Sequence, residues 1–378
     1  MQGLPTGRGL GTSRGALTRS GSPEIEWFAT TARPGVRSTI PRWSTRLAVH
    51  LHGLGHAHPE PEITNRFLES LEIGTDDAWI LERVGIRCRR TVLPLDYIRT
   101  TRNRDPRAAL EAAECSQGEL GARAARLALE RAGIAAGDVG LVIGGNSVAD
   151  SNSTPGVGSH VAARLGIEVP TFDVSSACTS FYAQLHLVSM TREEALPDYV
   201  LLAVPETMTT VVDYSDRTTA VLWGDAAAAA VVSTRQPALP RVLGTTLDSS
   251  PAGGNKVVIP RGGHFQQEGR AVQVFGIKRM AHCVSELRER FEQADRTFHF
   301  VGHQANLRML ENVRDQCRIP PERHHMNVEW YGNTAGASSA SVISMRWEKW
   351  MPGDDVAVAG VGAGLTWSSY LLRFGGAC

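Results

Sequence analysis

The chain has 378 residues, 42% of them hydrophobic and 21% charged, the composition of an ordinary globular protein with room for two domains or one duplicated unit. Basic and acidic residues balance at 39 each, so no global attraction to nucleic acid or to an anionic membrane follows. No apolar run reaches the ~18–20 residues that span a bilayer, and six cysteines without a CxxC pair fit a reducing, cytoplasmic setting better than a disulfide framework.

Residues 1–46 are rich in Gly, Ser, Thr and Arg, with Glu24 and Glu26 their only acids. They lack periodicity and read as a flexible tail or as sequence upstream of the true start; a transit peptide has a similar composition. From Leu47 the pattern turns strand-like. His50, His52, His56 and His58 crowd there, but no nearby cysteine or acid completes a ligand set, and Gly53 and Gly55 are expected to break the element. A metal site is therefore not expected. Residues 62–70 read as a short helix, and residues 75–83 as a helix capped by Thr75 and carrying Trp79. Residues 83–107 hold eight arginines against Asp96 and Asp105, a local balance of +6. Such a run is a solvated face or a docking patch for an acidic partner or phosphorylated ligand. Residues 96–116 look like an irregular polar insertion, and 118–132 like an alanine-rich helix.

A repeated order follows. Residues 140–146 form a strand leaving a polar loop. A strand then runs through a tight turn at Cys178 into a helix with Phe181, Leu185 and Val188 at helical spacing. Residues 199–207 form another strand, and 226–233 a small-residue strand expected to pair with 241–248. The second half repeats the sequence of elements: a strand ending at His303, a turn at Asn333 into a helix of small residues, a strand at 355–364 running into a glycine-rich turn, and a final strand at 365–374. Valine- and alanine-rich strands in this order imply a duplicated α/β unit with a helix-covered sheet.

Cys178 sits near a helix N-terminus, where the dipole would lower a thiol pKa and make a nucleophile; a small buried hydrophobe is the plainer reading. If the halves superpose, Cys178, His303 and Asn333 converge on the pseudo-twofold axis. Separately, a strand-end histidine is often structural, and Asn-Thr before a helix is an ordinary cap.

The motifs Asp173-Val-Ser-Ser-Ala-Cys178, His303-Gln-Ala-Asn-Leu-Arg308, Gly332-Asn-Thr-Ala335 and Gly362-Ala-Gly-Leu-Thr-Trp-Ser368 occur in one order. They are joined by Asp77-Ala-Trp-Ile-Leu-Glu-Arg-Val-Gly-Ile-Arg87, Asp216-Arg-Thr-Thr219 and Trp223-Gly-Asp225. Together they make residues 47–375 resemble the β-ketoacyl-acyl-carrier-protein synthase III family of the thiolase superfamily. The resemblance implies an α/β thiolase-like fold of five layers, αβαβα, with pseudo-symmetric halves at 47–235 and 236–378. It implies acylation of Cys178 by a coenzyme A thioester, then a decarboxylative Claisen condensation with a malonyl-carrier-protein thioester, initiating fatty acid synthesis. Backbone N–H groups of Cys178 and Ala363 would form the oxyanion site, and His303 and Asn333 would donate to the malonyl thioester oxygen. Trp79 and Arg217 would sandwich the adenine of coenzyme A with Arg83 near its phosphates, and Arg308 would help dock acyl carrier protein. A homodimer is implied, with coenzyme A thioester as substrate and no further cofactor.

The segment 95–117 is longer than in typical primary-metabolism members, and the polar stretch 150–154 falls in a loop that in this family helps line the acyl pocket across the dimer. A specialised condensing enzyme of secondary metabolism, using longer or β-keto donors for an aryl polyene, dialkylresorcinol or polyketide pathway, is the alternative. A non-catalytic carrier-docking subunit is a third reading, against which the intact Cys178, His303 and Asn333 stand.

Overall fold

The computed structural model describes residues 48–150 and 154–376; residues 1–47, and with them the tail expected at 1–46, lie outside the described residues, as do 151–153 of the polar loop. In chain order the elements are β1 (Val49–Ala57), β2 (Glu62–Thr64), α1 (Asn65–Glu69), α2 (Asp77–Arg83), β3 (Cys88–Arg90), α3 (Leu95–Thr101), α4 (Pro106–Ala112), α5 (Gln117–Ala132), β4 (Leu141–Gly144), α6 (Val157–Leu165), β5 (Thr171–Asp173), α7 (Ser180–Met190) and β6 (Val200–Glu206). Then come α8 (Arg217–Ala220), β7 (Ala226–Ser233), β8 (Arg241–Ser249), β9 (Val257–Val258), β10 (Gln266–Gln267), α9 (Gly269–Phe291), β11 (Thr297–Gly302), α10 (Leu307–Gln316), α11 (Val328–Tyr331), α12 (Ser338–Met345), β12 (Asp354–Gly362) and β13 (Thr366–Arg373).

The strand pairing carries the duplication. In the first half β4 runs parallel to β6, β6 antiparallel to β7, and β7 antiparallel to β1. In the second half β11 runs parallel to β12, β12 antiparallel to β13, and β13 antiparallel to β8. The two sets meet where β1 pairs with β8 through Val49–Val242 and His50–Arg241, giving one nine-stranded sheet. The expected pairing of 226–233 with 241–248 therefore does not form; β1 lies between those strands and takes an edge of each.

Three apolar clusters define the layers. Helices α7 and α12 lie in the middle, Phe181, Leu185, Ala340 and Ile343 packing against strand residues of both halves. Helices α5 and α6 cover the outer face of the first half, and α9 and α10 that of the second. This is the αβαβα sandwich. Its strands are apolar on both faces because both faces are covered; β6 and β7 are buried along their whole length.

Gly53 and Gly55 do not break β1. A β-carbon at either would meet the backbone oxygen of Ala128 or Ala124 at 2.0 and 1.9 Å. Helix α5 thus rests directly on the strand, and its own run of alanines is the other half of that close approach. The four histidines of this region are taken up by other groups: His50 and His52 bond backbone oxygens of Ala238 and Gln236, His56 the Ser344 hydroxyl, and His58, in tilted contact with His56, stacks on Tyr331.

Other local expectations change. Residues 62–64 form a strand before their helix, paired with β3. The cap of α2 is Asp76, which accepts the Trp79 N–H at 2.8 Å, not Thr75. The insertion is ordered as α3 and α4, with Ile98 and Ala109 wholly buried. Between them Asn103, also buried, donates its amide to the carbonyls of Thr210 and Val212 at 2.9 Å. The arginine run is not one face: Arg89 is fully buried, bonded to Asn65 and to the Val221 carbonyl.

Candidate active site

Ala177, just before Cys178, has φ +47, and Ala335, just after Asn333 and Thr334, has φ +45. Helices α7 and α12 then begin at Ser180 and Ser338, the same distance downstream in each half. A left-handed alanine costs roughly 1–3 kcal/mol and persists only where the surroundings hold it. The two turns are thus one device used twice, and Asn333 occupies the place that Ser175 holds in the first half.

Cys178 opens onto two adjoining cavities. One, of about 70 Å³, is lined by Cys178, His303, Asn333, Gly362 and Ala363, among others. The second, of about 160 Å³, runs from Cys178 past Ser147 and Ala177 to Met208, Val258 and Ile259. Trp223 and Phe265, in edge contact at 4.6 Å, border both. The structure therefore brings together the three residues singled out in the sequence.

His303 is buried, and its Nδ1 lies 2.8 Å from the Ser338 hydroxyl. That oxygen also accepts a long bond from the Gln304 N–H, and its own hydrogen is assigned to His303 Nδ1. The proton of the ring is then on Nε2. Burial alone lowers the His303 pKa to about 4, so the imidazole is neutral. Asn333 is held likewise. Its backbone bonds both ways with the 222–224 segment, and its Oδ1 accepts the Ala335 N–H at 3.0 Å. The carboxamide NH₂ is the end left to donate.

Cys178 corrects the helix-dipole expectation. Its thiol pKa is raised well above the usual value, first by burial and then by the nearby Glu206 charge. Two amides at the helix entrance are already used: Thr179 N–H and Ser180 N–H donate to the Ser176 and Ala177 carbonyls of the turn itself. The Cys178 and Ala363 amides make no such turn or loop bond among the described residues. A β-carbon on Gly362 would lie 3.3 Å from the Cys178 nitrogen, so the glycine-rich turn approaches the nucleophile's backbone closely.

Trp79, Arg83 and Arg217 cluster with one another outside these cavities. The Arg217 and Arg83 guanidiniums sit 5.0 and 5.8 Å from the Trp79 ring centre. A purine between two stacked planes needs about 7 Å, twice a van der Waals contact; Arg217 would have to swing out to admit one. Arg308 donates to the Leu81 and Glu82 carbonyls that end α2 and pairs with Glu311 at 3.0 Å. It fastens α2, which carries Trp79 and Arg83, to α10, which follows His303.

Against known proteins, residues 172–251 match the family model for 3-oxoacyl-[acyl-carrier-protein] synthase III and residues 292–374 that of its C-terminal part. The β-ketoacyl-[acyl-carrier-protein] synthase III of Sulfurovum sp. is 31% identical over 343 residues, which cover 85% of this chain and 95% of that one. The chain belongs to the β-ketoacyl-acyl-carrier-protein synthase III family. Its structure is similar to that of the synthase III of Pseudomonas aeruginosa, with a TM-score of 0.75 and 31% identity over 88% of this chain and all of the other. It is also similar to a priming β-ketosynthase of a polyketide pathway, with a TM-score of 0.74 and 26% identity over 90% and 99% of the two chains. Synthase III enzymes are acyltransferases of the condensing type.

Sequence reasoning missed Ser338, Ser147 and Glu206. Ser338 was hidden in a run of small residues. Glu206 left a trace, being an acid that ends a wholly apolar strand, a position where an unpaired carboxylate needs a reason.

Proposed function

We propose that the protein moves an acyl group from coenzyme A to Cys178 and condenses it with a malonyl-carrier-protein thioester, initiating fatty acid synthesis. In the first half-reaction Cys178 Sγ attacks the thioester carbonyl, the C–S bond to coenzyme A breaks, and the thiol proton leaves with coenzyme A. The Cys178 and Ala363 amides stabilise the oxyanion. In the second, the malonyl thioester oxygen takes hydrogen bonds from His303 Nε2 and Asn333 Nδ2. Carbon dioxide leaves, and the enolate carbon attacks the acyl-Cys178 carbonyl. The β-ketoacyl thioester departs and the sulfur regains a proton.

The observation that carries this reading is the pair of tethered donors: His303 through Ser338, Asn333 through Ala335. Both are neutral and dry, and both are oriented before substrate arrives, as enolate stabilisation requires. A neutral imidazole that resists protonation supplies a donor without becoming a general acid that would quench the carbanion. The reaction draws on side chains and backbone alone, with the coenzyme A thioester as substrate.

The 160 Å³ cavity beyond Cys178 is close to the ~150 Å³ space that holds a benzene. This supports donors of up to about six carbons. The polyketide priming relative supports a second reading, priming of a polyketide chain by the same chemistry. Trp79, Arg83 and Arg217 would take the coenzyme A nucleotide, and Arg308 would contribute to carrier docking. Strand β5 is a sheet edge with Phe172 exposed, which suits self-pairing of two chains. A cytoplasmic location follows from the carrier protein and free thiols of the scheme.

The test is product formation from malonyl-carrier protein with acyl-CoA donors of two to twelve carbons. Product with short donors is expected. Acyl-Cys178 and product with long or β-keto donors alone would overturn the short-donor reading.

A further inference from the structure

Glu206, the last residue of β6, has no exposure to solvent. Its carboxylate accepts three hydrogen bonds: from the Ser147 N–H at 2.8 Å, the Ser147 hydroxyl at 2.8 Å and the Gly336 N–H at 3.0 Å. No arginine, lysine or histidine pairs with it among the described residues. A buried, hydrogen-bonded carboxylate without a cation is costly, and packing does not require one here.

Its three donors come from two places that matter. Ser147 lines the larger cavity beside Cys178. Gly336 belongs to the turn that presents Asn333. A β-carbon on Gly336 would lie 2.8 Å from Glu206 Oε1 and 3.1 Å from the Ala177 carbonyl. The nucleophile turn and the Asn333 turn therefore touch at this glycine, and Glu206 is the group bonded across the contact. The titratable groups facing it are Asp225, which is buried, and Cys178, which is half-buried at the cavity wall. Its charge opposes ionisation of the Cys178 thiol.

We propose that Glu206 is a positioning residue of the condensation step: by clamping Gly336 and Ser147 it fixes the Asn333 turn against the nucleophile turn. It does so at a cost to the nucleophile, because its charge disfavours the thiolate. Clamp and charge act in opposite directions on the two half-reactions, which makes the inference separable from a merely structural role. The inference rests on the condensing reading above.

The test is Glu206→Gln in the full chain. Glutamine has nearly the same shape and keeps one acceptor oxygen for Gly336 and the Ser147 hydroxyl, but turns an NH₂ toward the Ser147 N–H. The expected result is a kcat for condensation lower by about 10- to 100-fold, the scale of loss when a reacting group is misplaced, with a smaller change in KM for the malonyl thioester. Alkylation of Cys178 by iodoacetamide at pH 7.5 should be faster than in the wild type, and acylation by acyl-CoA should go to completion. Gly336→Ala, which pushes on the same contact without removing the charge, should lower condensation with no gain in alkylation rate. Parallel loss of condensation, acylation and alkylation in proportion to unfolded protein would overturn the proposal, as would wild-type condensation in Glu206→Gln. A wild-type enzyme that forms acyl-Cys178 but no condensation product would instead overturn the underlying reading.

Discussion

His303 and Asn333 each give one polar atom to the protein and keep the other for substrate. The chemistry of the two half-reactions can be separated on that basis. Cys178→Ala should leave no acyl-enzyme by mass spectrometry. Asn333→Ala should still be acylated, with condensation reduced by about 10²–10³-fold, the usual loss for one oriented oxyanion donor; equal loss of acylation would contradict the assignment. The three residue types were readable in the sequence because each stands in a motif of distinctive spacing. Their tuning was not. Whether a thiol is ionised depends on burial and on charges brought from other strands, and Glu206 reaches Cys178 only through the fold. Burial and the Glu206 charge outweigh the dipole at Cys178, and the turn itself takes the Thr179 and Ser180 amides. The partner of His303 lies 35 residues away and has nothing in its local sequence to mark it.

At the scale of elements, the contact of α5 with β1 shows how a local reading can invert. Glycines in a strand pattern signal either interruption or close approach of another backbone, and only the position of α5 decides between them. Gly55→Ala would place its β-carbon 1.9 Å from the Ala124 backbone oxygen. No flexible side chain can yield there, so stability should fall by about 1–3 kcal/mol or more. Gly137→Ala, with nothing within 4 Å, should be neutral or slightly stabilising. Thermal unfolding of the two variants side by side checks this; equal melting temperatures would refute the close-packing account. The insertion misled in the same way. Its polar residues suggested a surface loop, yet Asn103 is buried and satisfies the Thr210 and Val212 carbonyls, in the segment that follows Met208, a wall of the larger cavity.

For the molecule as a whole, buried titratable groups set an acid limit. Burial lowers the pKa of His58 and His325 to about 3 and of His303 and His324 to about 4. In the unfolded chain these rings protonate near 6.5. Between about pH 4 and 6.5 the unfolded state therefore binds more protons, and stability falls as pH falls. Glu206 and Asp225, raised to about 7, act the other way, because the native state takes up their protons first as pH falls below 7. The histidines lowered by burial, which include His52, His56, His186 and His299 as well, outnumber the two raised carboxylates, so the melting temperature should drop between pH 7.5 and 5.0. Among the described residues neither ring nitrogen of His324 has a hydrogen-bond partner, and the ring stacks on Phe300. His324→Phe should keep the melting temperature at pH 7.5 and flatten its decline toward pH 5.0, an effect of about 2 kcal/mol at the acid end. A melting temperature that rises on acidification would sink this balance of charges. The repeated order of elements was legible in the sequence because buried strands declare themselves by composition. The joint between halves was not, because strand pairing at that separation leaves no local pattern.

That joint bears on how the chain is made. Strand β1 is the earliest described strand, yet both of its sheet partners, β7 and β8, begin only at Ala226 and Arg241. At ~5–20 residues per second of synthesis, β1 leaves the ribosome on the order of ten to forty seconds before either partner exists. During that interval α5, only some sixty residues downstream, is the first element to pack densely on a face of it, α7 follows on the other, and both edges stay open. The alanine-to-glycine contact that reads as tight packing in the finished protein is therefore also the earliest protection that the nascent strand receives.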